Sequence, residues 1–410
     1  MTLDIGKHLS RAAAQMQQSE IRRMGAIAAG VQDLISFAPG YPDPAVFAWE
    51  EFAAIAADLL GGKRAAVLQY GSTRGARPLL ESLTDVLKAR GISAKTDELI
   101  ISTGSQQGLD LVARLLLDPG DVALIELPTY TGAIIAFRSA LARLVGVRQA
   151  PDGVDLDHLD WVLMNERGQG RRVAFLYLTP NFQNPSGLLL SAAKRVALLE
   201  WAARRDLLIV EDDPYGVLHF DQVSEADTRP IKADDVEGRV MYLSTFSKTL
   251  TPGFRVGWVA APASLIERFE TAKQAMDLCS GSLDQRIVHE AIARGVLARE
   301  TPRLRQHYQT QRDVMERALR SEMSDASWLQ PQGGFFIWLE LPHGMDGAAL
   351  LQRAVEQQVL YVAGAAFFVE SPNRRFIRLA FSGTPAVRIV EGVARLARAV
   401  RVESGTPASR

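Results

Sequence analysis

One stretch of the chain combines residue types that could carry out covalent chemistry. Residues 239–261 read RVMYLSTFSKTLTPGFRVGWVAA, with Lys248 at the centre. An apolar strand, VMYL, delivers the chain to Ser244, Thr245 and Ser247, and Pro252, Gly253 and Arg255 follow the lysine. A lysine that only keeps a surface soluble has no need of a buried strand before it. An amine nucleophile does need a partly dry site, which favours its neutral form. The hydroxyls and the guanidinium suit a phosphate, because Arg offers a fork of donors and Ser or Thr adds short hydrogen bonds. A nucleophilic lysine beside a phosphate cup points to pyridoxal 5'-phosphate as cofactor. The competing reading, a solvated Ser-Lys turn, does not account for the strand, the three hydroxyls and the arginine together.

The layout SxSKxxxPGxRxGW, with Thr245 at the first hydroxyl position, resembles the cofactor-lysine signature of fold type I, class I/II pyridoxal-phosphate aminotransferases. Other stretches extend the resemblance in the family's order from about Ser19 to Ser382. QSEIR near the start and EDDPYG make it look most like the branch of 2-aminoadipate and kynurenine aminotransferases. That branch also supplies effector domains of bacterial transcription regulators, which carry a basic helix-turn-helix domain ahead of this fold; here the fold is expected to start almost at residue 1.

The resemblance assigns roles residue by residue. Lys248 would hold the cofactor covalently and move the proton during catalysis. Asp212 would pair with the ring nitrogen, and Tyr215 and Asn184 would bond the ring oxygen. Tyr130 would stack on the ring. Ser105, Gln106, Thr245, Ser247 and Arg255 would hold the phosphate, joined by Tyr70 reaching across a homodimer interface. Arg378 would bind the substrate α-carboxylate in a bidentate fork, with Asn184 and the Gly40 loop beside it. Arg22 or Arg23 would meet a second carboxylate on an acidic substrate.

The elements that must position these residues are legible on their own. From Glu98 onward, short apolar runs alternate with amphipathic helical patterns, which argues an α/β fold with a largely parallel sheet. ELIIST followed by GSQQGLDLVARLL reads as strand, glycine turn and helix, and free N–H groups at such a helix start make an anion site. Strands DVALIELPTY, RVAFLYL and LLIVEDD end respectively in Tyr130, in the amide- and proline-rich loop carrying Asn184, and in three consecutive acids. Three carboxylates at one strand end repel, so they must point to different places, and alternation sends Asp213 to the face opposite Asp212. RVGWVAAP begins only ten residues after the previous strand. That is too short for a parallel crossover, so this strand is expected to be antiparallel or non-adjacent. Gly40 and Tyr70 sit in polar turn regions, where a turn residue and a packed aromatic are the bland readings. Arg378 lies inside an apolar strand, where a buried arginine needs an anionic partner.

The fold expected is therefore a mostly parallel seven-stranded sheet with one antiparallel strand, flanked by helices, plus a smaller α/β part. Expected divisions are 1–50 for an N-terminal arm with a helix from about Ser10 to Ala29, 51–300 for the cofactor-binding part, and 301–410 for the remainder. The tail near Glu403–Arg410 reads as frayed.

Composition bounds the alternatives. The 410 residues carry a formal charge of −1, which gives no attraction to nucleic-acid or anionic-lipid surfaces. A single cysteine, Cys279, excludes an internal disulfide framework, and the six histidines show no zinc spacing. No apolar run reaches the length of a membrane span. A cytoplasmic homodimer without metal is expected. Its expected reaction moves the amino group of an L-amino acid (2-aminoadipate, aromatic or branched-chain) to a 2-oxo acid such as 2-oxoglutarate. Two rivals share the same parts: another reaction on the same cofactor, such as β-elimination or racemisation, and a non-catalytic ligand sensor.

Overall fold

The apolar runs become strands because helices cover both faces of the sheet they form, so nearly every side chain in them is buried. A computed structural model describes residues 3–16, 24, 26–27 and 29–405. Its large sheet contains β1 (Leu99–Thr103), β2 (Val122–Leu127), β3 (Arg143–Ala150), β4 (Val173–Leu178), β5 (Leu208–Asp212), β6 (Val240–Thr245) and β7 (Val256–Ala260), in the order β1-β7-β6-β5-β4-β2-β3. Strands β2 to β6 run parallel. β7 is antiparallel to both neighbours, with Thr245 opposite Gly257 and Thr103 opposite Val256, as its short approach from β6 requires.

An eighth strand of two residues, Gly153–Val154, extends the sheet beyond the expected seven. It is a hairpin return on β3, pairing Val154 with Gln149, and Gly153 takes φ +133° there. A two-residue return has no hydrophobic period to reveal it.

A second sheet is wholly antiparallel: β8 (Ser327–Trp328), β9 (Phe336–Glu340), β10 (Val362–Ala363) and β11 (Phe376–Ala380), in the order β8-β9-β11-β10. The amino-terminal Ile35–Ser36 pairs in parallel with Val359–Leu360, and Ile35 and Phe37 join a core built largely of residues beyond 300. Chain segments far apart in sequence thus meet over the carboxyl ends of the parallel strands.

The single helix expected from Ser10 to Ala29 does not form as one piece. The helix Arg11–Gln15, capped by the Ser10 hydroxyl, stops where Met16 turns extended at ψ 129°. None of its residues is buried, and so short a helix has no tertiary face to prolong it. Residues 17–23, including Arg22 and Arg23, lie outside the described residues. No described helix is long and apolar enough to cross a membrane.

Candidate active site

Parallel strands present their carboxyl ends at one edge, the usual place for a ligand in open α/β sheets. Tyr130 follows β2, Asn184 follows β4, Asp212 ends β5 and Lys248 follows β6. The second sheet supplies Arg378 from β11.

Lys248 is half-buried, and its Nζ donates to the Gly40 carbonyl at 2.9 Å. The rings of Tyr215 and Phe335 lie 5.9 and 5.6 Å from the amine. Burial first, then the guanidiniums of Arg378 and Arg255, push its pKa down to about 8. More of it is therefore neutral, and hence nucleophilic, near neutral pH than of an ordinary lysine. Gly40 is required by close approach: a Cβ there would fall 2.4 Å from the ring of Phe336.

The three acids at the end of β5 part company. Glu211 accepts the backbone N–H groups of Ile231 and Lys232 at 2.9 and 2.8 Å. Asp213 turns toward Arg90 and Tyr242. Asp212 faces Tyr177, whose hydroxyl its Oδ2 accepts at 2.9 Å, and its buried Oδ1 has no partner. Burial, opposed by the Tyr177 hydrogen bond and aided by Asp213, raises the Asp212 pKa to about 7. An unpartnered buried carboxylate oxygen asks for a cationic N–H, which would hold the acid ionised. A pyridinium nitrogen is such a donor, so the site fits the expected ring on this count.

The phosphate side is more selective than the sequence suggested. Of the three hydroxyls near the lysine, Ser244 donates to the Asp213 carbonyl at 2.7 Å. Thr245 donates to the Val256 carbonyl at 3.0 Å and accepts the Ser247 N–H at 3.1 Å. Both therefore shape the turn, and Thr245 has no proton left to offer a phosphate in this arrangement. Ser247 therefore donates to Thr245 Oγ1 at 2.8 Å, a proton that a bound anion would draw away. The helix α2 (Ser105–Leu116) opens with Ser105 and Gln106 after Gly104, whose φ of +74° suits glycine. A Cβ at Gly104 would sit 2.4 Å from Arg255 Nη2, so the missing side chain lets the guanidinium lie against the helix start. Arg255 itself is held at φ +53°, a left-handed conformation unusual for arginine, and donates to the Thr103 carbonyl at 3.3 Å. Free N–H groups, a hydroxyl and a guanidinium thus converge as an anion cup.

Tyr130 and Gln106 are tied together at 3.4 Å, and Gln106 also reaches the Gly132 carbonyl at 2.9 Å. Tyr215 is buried against Phe335 and Phe336, and burial pushes its hydroxyl far above the ordinary tyrosine range. Asn184 precedes a cis proline, and its Oδ1 accepts Arg378 Nη1 at 2.8 Å.

Arg378 is fully buried, and its other donor contact is the Ala38 carbonyl. Phe336 and Phe367 flank the guanidinium at 4.4 and 5.0 Å. Its Nε has no partner, and no carboxylate pairs with it among the described residues. Burial lowers its pKa to about 10. The anionic partner that a buried arginine needs is thus absent among the described residues. A buried cation left in this state asks for an anion.

Lys248, Asp212, Tyr130, Tyr215, Asn184, Arg255 and Arg378 form one electrostatically coupled cluster. Tyr70 does not join it: its side chain is 78% exposed, and no hydrogen bond or ring contact links it to the cluster among the described residues. Arg22 lies outside the described residues. Sequence reasoning missed Tyr177, which the parallel register places opposite Val210, on the same face as Asp212. It also missed Phe336 and Phe367. A strand tyrosine near the same sheet edge was the available signal. Among the described residues, no group of His, Cys, Asp and Glu could hold a metal ion.

Comparison with known proteins agrees with this geometry. The family model for aminotransferase class I and II matches residues 48–396. An aromatic-amino-acid aminotransferase from Thermococcus litoralis is 39% identical over 404 residues, covering 98% of this chain and 96% of the relative. The structure of a Pyrococcus horikoshii kynurenine aminotransferase, solved with PMP, is 37% identical and superposes with a TM-score of 0.92 over 98% of each chain. That of a Thermus thermophilus α-aminoadipate aminotransferase, complexed with N-(5'-phosphopyridoxyl)-L-leucine, is 35% identical with a TM-score of 0.89, covering 98% and 100%. The chain therefore belongs to the class I and II aminotransferases, a transaminase of fold type I whose cofactor is pyridoxal phosphate.

Proposed function

We propose that this transaminase is a broad one, taking 2-aminoadipate, aromatic and branched-chain L-amino acids and passing the amino group to a 2-oxo acid such as 2-oxoglutarate. The observation that carries the reading is Arg378: a fully buried guanidinium with an orphaned Nε, flanked by aromatic rings and bonded to Asn184. An α-carboxylate common to every substrate would supply its missing anion.

Bound here, pyridoxal phosphate supplies an electron-accepting ring and the carbon that exchanges the amino group. Asp212 Oδ1 and Tyr177 hold charge at the ring-nitrogen side. Ser105, Gln106, Ser247 and Arg255 hold the phosphate, with Thr245 fixing the turn beneath them. Lys248, held near Gly40 and depressed in pKa, serves as the amine that takes the Cα proton and returns it to the other carbon. Arg378 and Asn184 fix the carboxylate, so that the Cα–H bond can be set across the ring plane.

Breadth is supported by Tyr215 and Phe335, apolar surfaces against Lys248, and by the names of the relatives, which include aromatic and aminoadipate enzymes. Acidic side chains would need a second cation, and Arg22 is proposed for it. A homodimer, with Tyr70 serving the partner's phosphate, is the assembly proposed. Its support is the exposure of Tyr70 together with neighbouring Leu68, 75% exposed. The division into an arm at 1–50 joined to 301–410, around a cofactor-binding part at 51–300, is proposed with it.

The test is transfer from single amino acids to 2-oxoglutarate, with kcat/KM for 2-aminoadipate and leucine in wild type and Arg22→Ala. The reading expects both substrates to react, and Arg22→Ala to lose ~1.5–3 kcal/mol for the acidic one only. Equal losses for both remove Arg22 from the site, and no transfer from either refutes the substrate assignment.

A further inference from the structure

Asp213 stands one residue beyond Asp212 and is as deeply buried, yet no step above uses it. Its Oδ1 accepts the Gly216 N–H at 2.8 Å, and its Oδ2 accepts the Tyr242 hydroxyl at 3.1 Å and Arg90 Nη2 at 3.4 Å. Its own N–H donates to the Leu243 carbonyl at 2.9 Å, and its carbonyl accepts Ser244 Oγ at 2.7 Å. The turn from 213 to 216 is thus stitched to β6 on one side and closed by its own carboxylate on the other. That turn begins immediately after Asp212 and contains Tyr215. Gly216 leaves no slack, since a Cβ there would fall 2.5 Å from both Asp213 Oδ2 and Arg90 Nη2.

Arg90 caps the helix α1 (Arg77–Ala89) and reaches inward with its side chain only 8% exposed. It also donates to the Thr228 carbonyl and, at 3.0 Å, to Thr228 Oγ1. Its other acidic neighbour, Glu225 at 3.4 Å, is largely exposed and is shared with Arg305 and His219. Arg90 is therefore the buried cation in contact with Asp213 among the described residues.

We propose that Asp213 and Arg90 form a positioning pair for the cofactor ring: Asp213 sets the turn that aims Asp212 and Tyr215, and Arg90 offsets part of the Asp213 charge that lies beside Asp212. This rests on the reading of Asp212 as partner of the ring nitrogen. The ionisable groups facing Asp213 are Arg90, Tyr242 and, at longer range, Asp212, Glu211 and Arg195. Those facing Asp212 are Tyr177, Asp213, Tyr130 and Tyr215. An uncompensated Asp213 carboxylate would raise the Asp212 pKa, since a neighbouring like charge disfavours the charged form.

The test uses apoenzyme as well as turnover. Affinity for pyridoxamine 5'-phosphate, read by tryptophan quenching across pH, reports the ionisation of Asp212. Arg90→Met is expected to move the acid-side midpoint up by about one unit and Asp213→Asn to move it down. The double variant Arg90→Met/Asp213→Asn returns toward wild type, because no unpaired carboxylate remains. Asp213→Asn keeps an acceptor for Gly216 N–H, so its kcat exceeds that of Asp213→Ala by about tenfold while KM for the amino acid differs little. Unmoved midpoints, or a double variant worse than Arg90→Met, overturn the proposal. If Arg90→Met does not fold, equal kcat losses in Asp213→Asn and Asp213→Ala overturn it instead. Asp212→Asn separates the two readings: a wild-type pH profile in that variant refutes the role of Asp212 itself, whatever Asp213 does.

Discussion

Asp212 and Arg378 are both buried ionisable groups with an unpartnered polar atom, yet they are held by different means. Asp212 ends a parallel strand, where the chain turns at once, so its aim depends on the turn after it and on Tyr177. Arg378 is the central residue of β11, paired with Trp338 on one side and Val362 on the other. Its backbone cannot be re-aimed without unzipping a sheet, and its fine position depends on Phe336, Phe367 and Asn184 packed over the guanidinium. Strand ends offer geometry that neighbouring turns can tune, and strand centres offer geometry set by the ladder. The residues proposed to act on reacting atoms sit at the former here, and Arg378, proposed to anchor the carboxylate common to all substrates, sits at the latter.

That contrast predicts different kinetic signatures. The largest effect belongs to Lys248→Ala, which should bind cofactor non-covalently and lose at least ~10³-fold in kcat, about 4 kcal/mol in the barrier. Absorbance of the holoenzyme and single-turnover rates check it, and an unchanged lysine-linked chromophore would remove Lys248 from its role. Next comes Asp212→Asn, expected to lower kcat by about 10²-fold with KM little changed, because a neutral amide no longer favours a protonated ring nitrogen. If Asp213→Asn shows this loss and Asp212→Asn does not, the two faces of the strand end have been exchanged.

Arg378→Lys tests the other side of the comparison. Lysine keeps the charge but cannot form the planar two-point contact, so KM for every amino acid should rise about 10-fold or more while kcat falls less. A variant that instead loses kcat with KM intact would mean that the guanidinium acts on the chemistry rather than on the carboxylate.

The same contrast explains what could be read from sequence. Strand-end residues were legible because each lies in or just before a compact run of turn formers at fixed spacing, as in NFQNPSG and EDDPYG. Arg378 was legible as an anomaly, a cation inside an apolar strand. Tyr177 was not, because its contact with Asp212 spans 35 residues and depends on parallel register, which no local pattern encodes. The partner of Thr245 was not legible either, because a hydroxyl's partner is invisible in sequence; the antiparallel return of β7 brings the Val256 carbonyl to it. The amino-terminal helix was expected as one piece because apolar and polar residues alternate suitably there; the chain instead turns extended at Met16, where no residue of Arg11–Gln15 is buried to carry the helix on, and helical residues return at Met24, which is buried.

The smallest effect sharpens the comparison most, because it concerns packing alone. Phe367 lies 5.0 Å from the Arg378 guanidinium and edge-on to Trp338 at 5.5 Å, and its carbonyl accepts the Thr129 N–H at 2.9 Å, next to Tyr130. Phe367→Leu leaves that backbone contact available and removes only the ring. Leucine still covers the guanidinium, so about 0.7–1.4 kcal/mol of the cation–π contact is lost, and KM should rise about 3- to 10-fold with kcat nearly constant. Because the guanidinium is proposed to meet the carboxylate common to all substrates, the rise should be equal for 2-aminoadipate, leucine and phenylalanine. Phe336→Leu gives the contrast. That ring also closes on Gly40, whose carbonyl holds Lys248, so its loss should lower kcat as well. A rise in KM confined to bulky substrates would make Phe367 a wall of the side-chain pocket and leave Arg378 supported by Asn184, Phe336 and the Ala38 carbonyl.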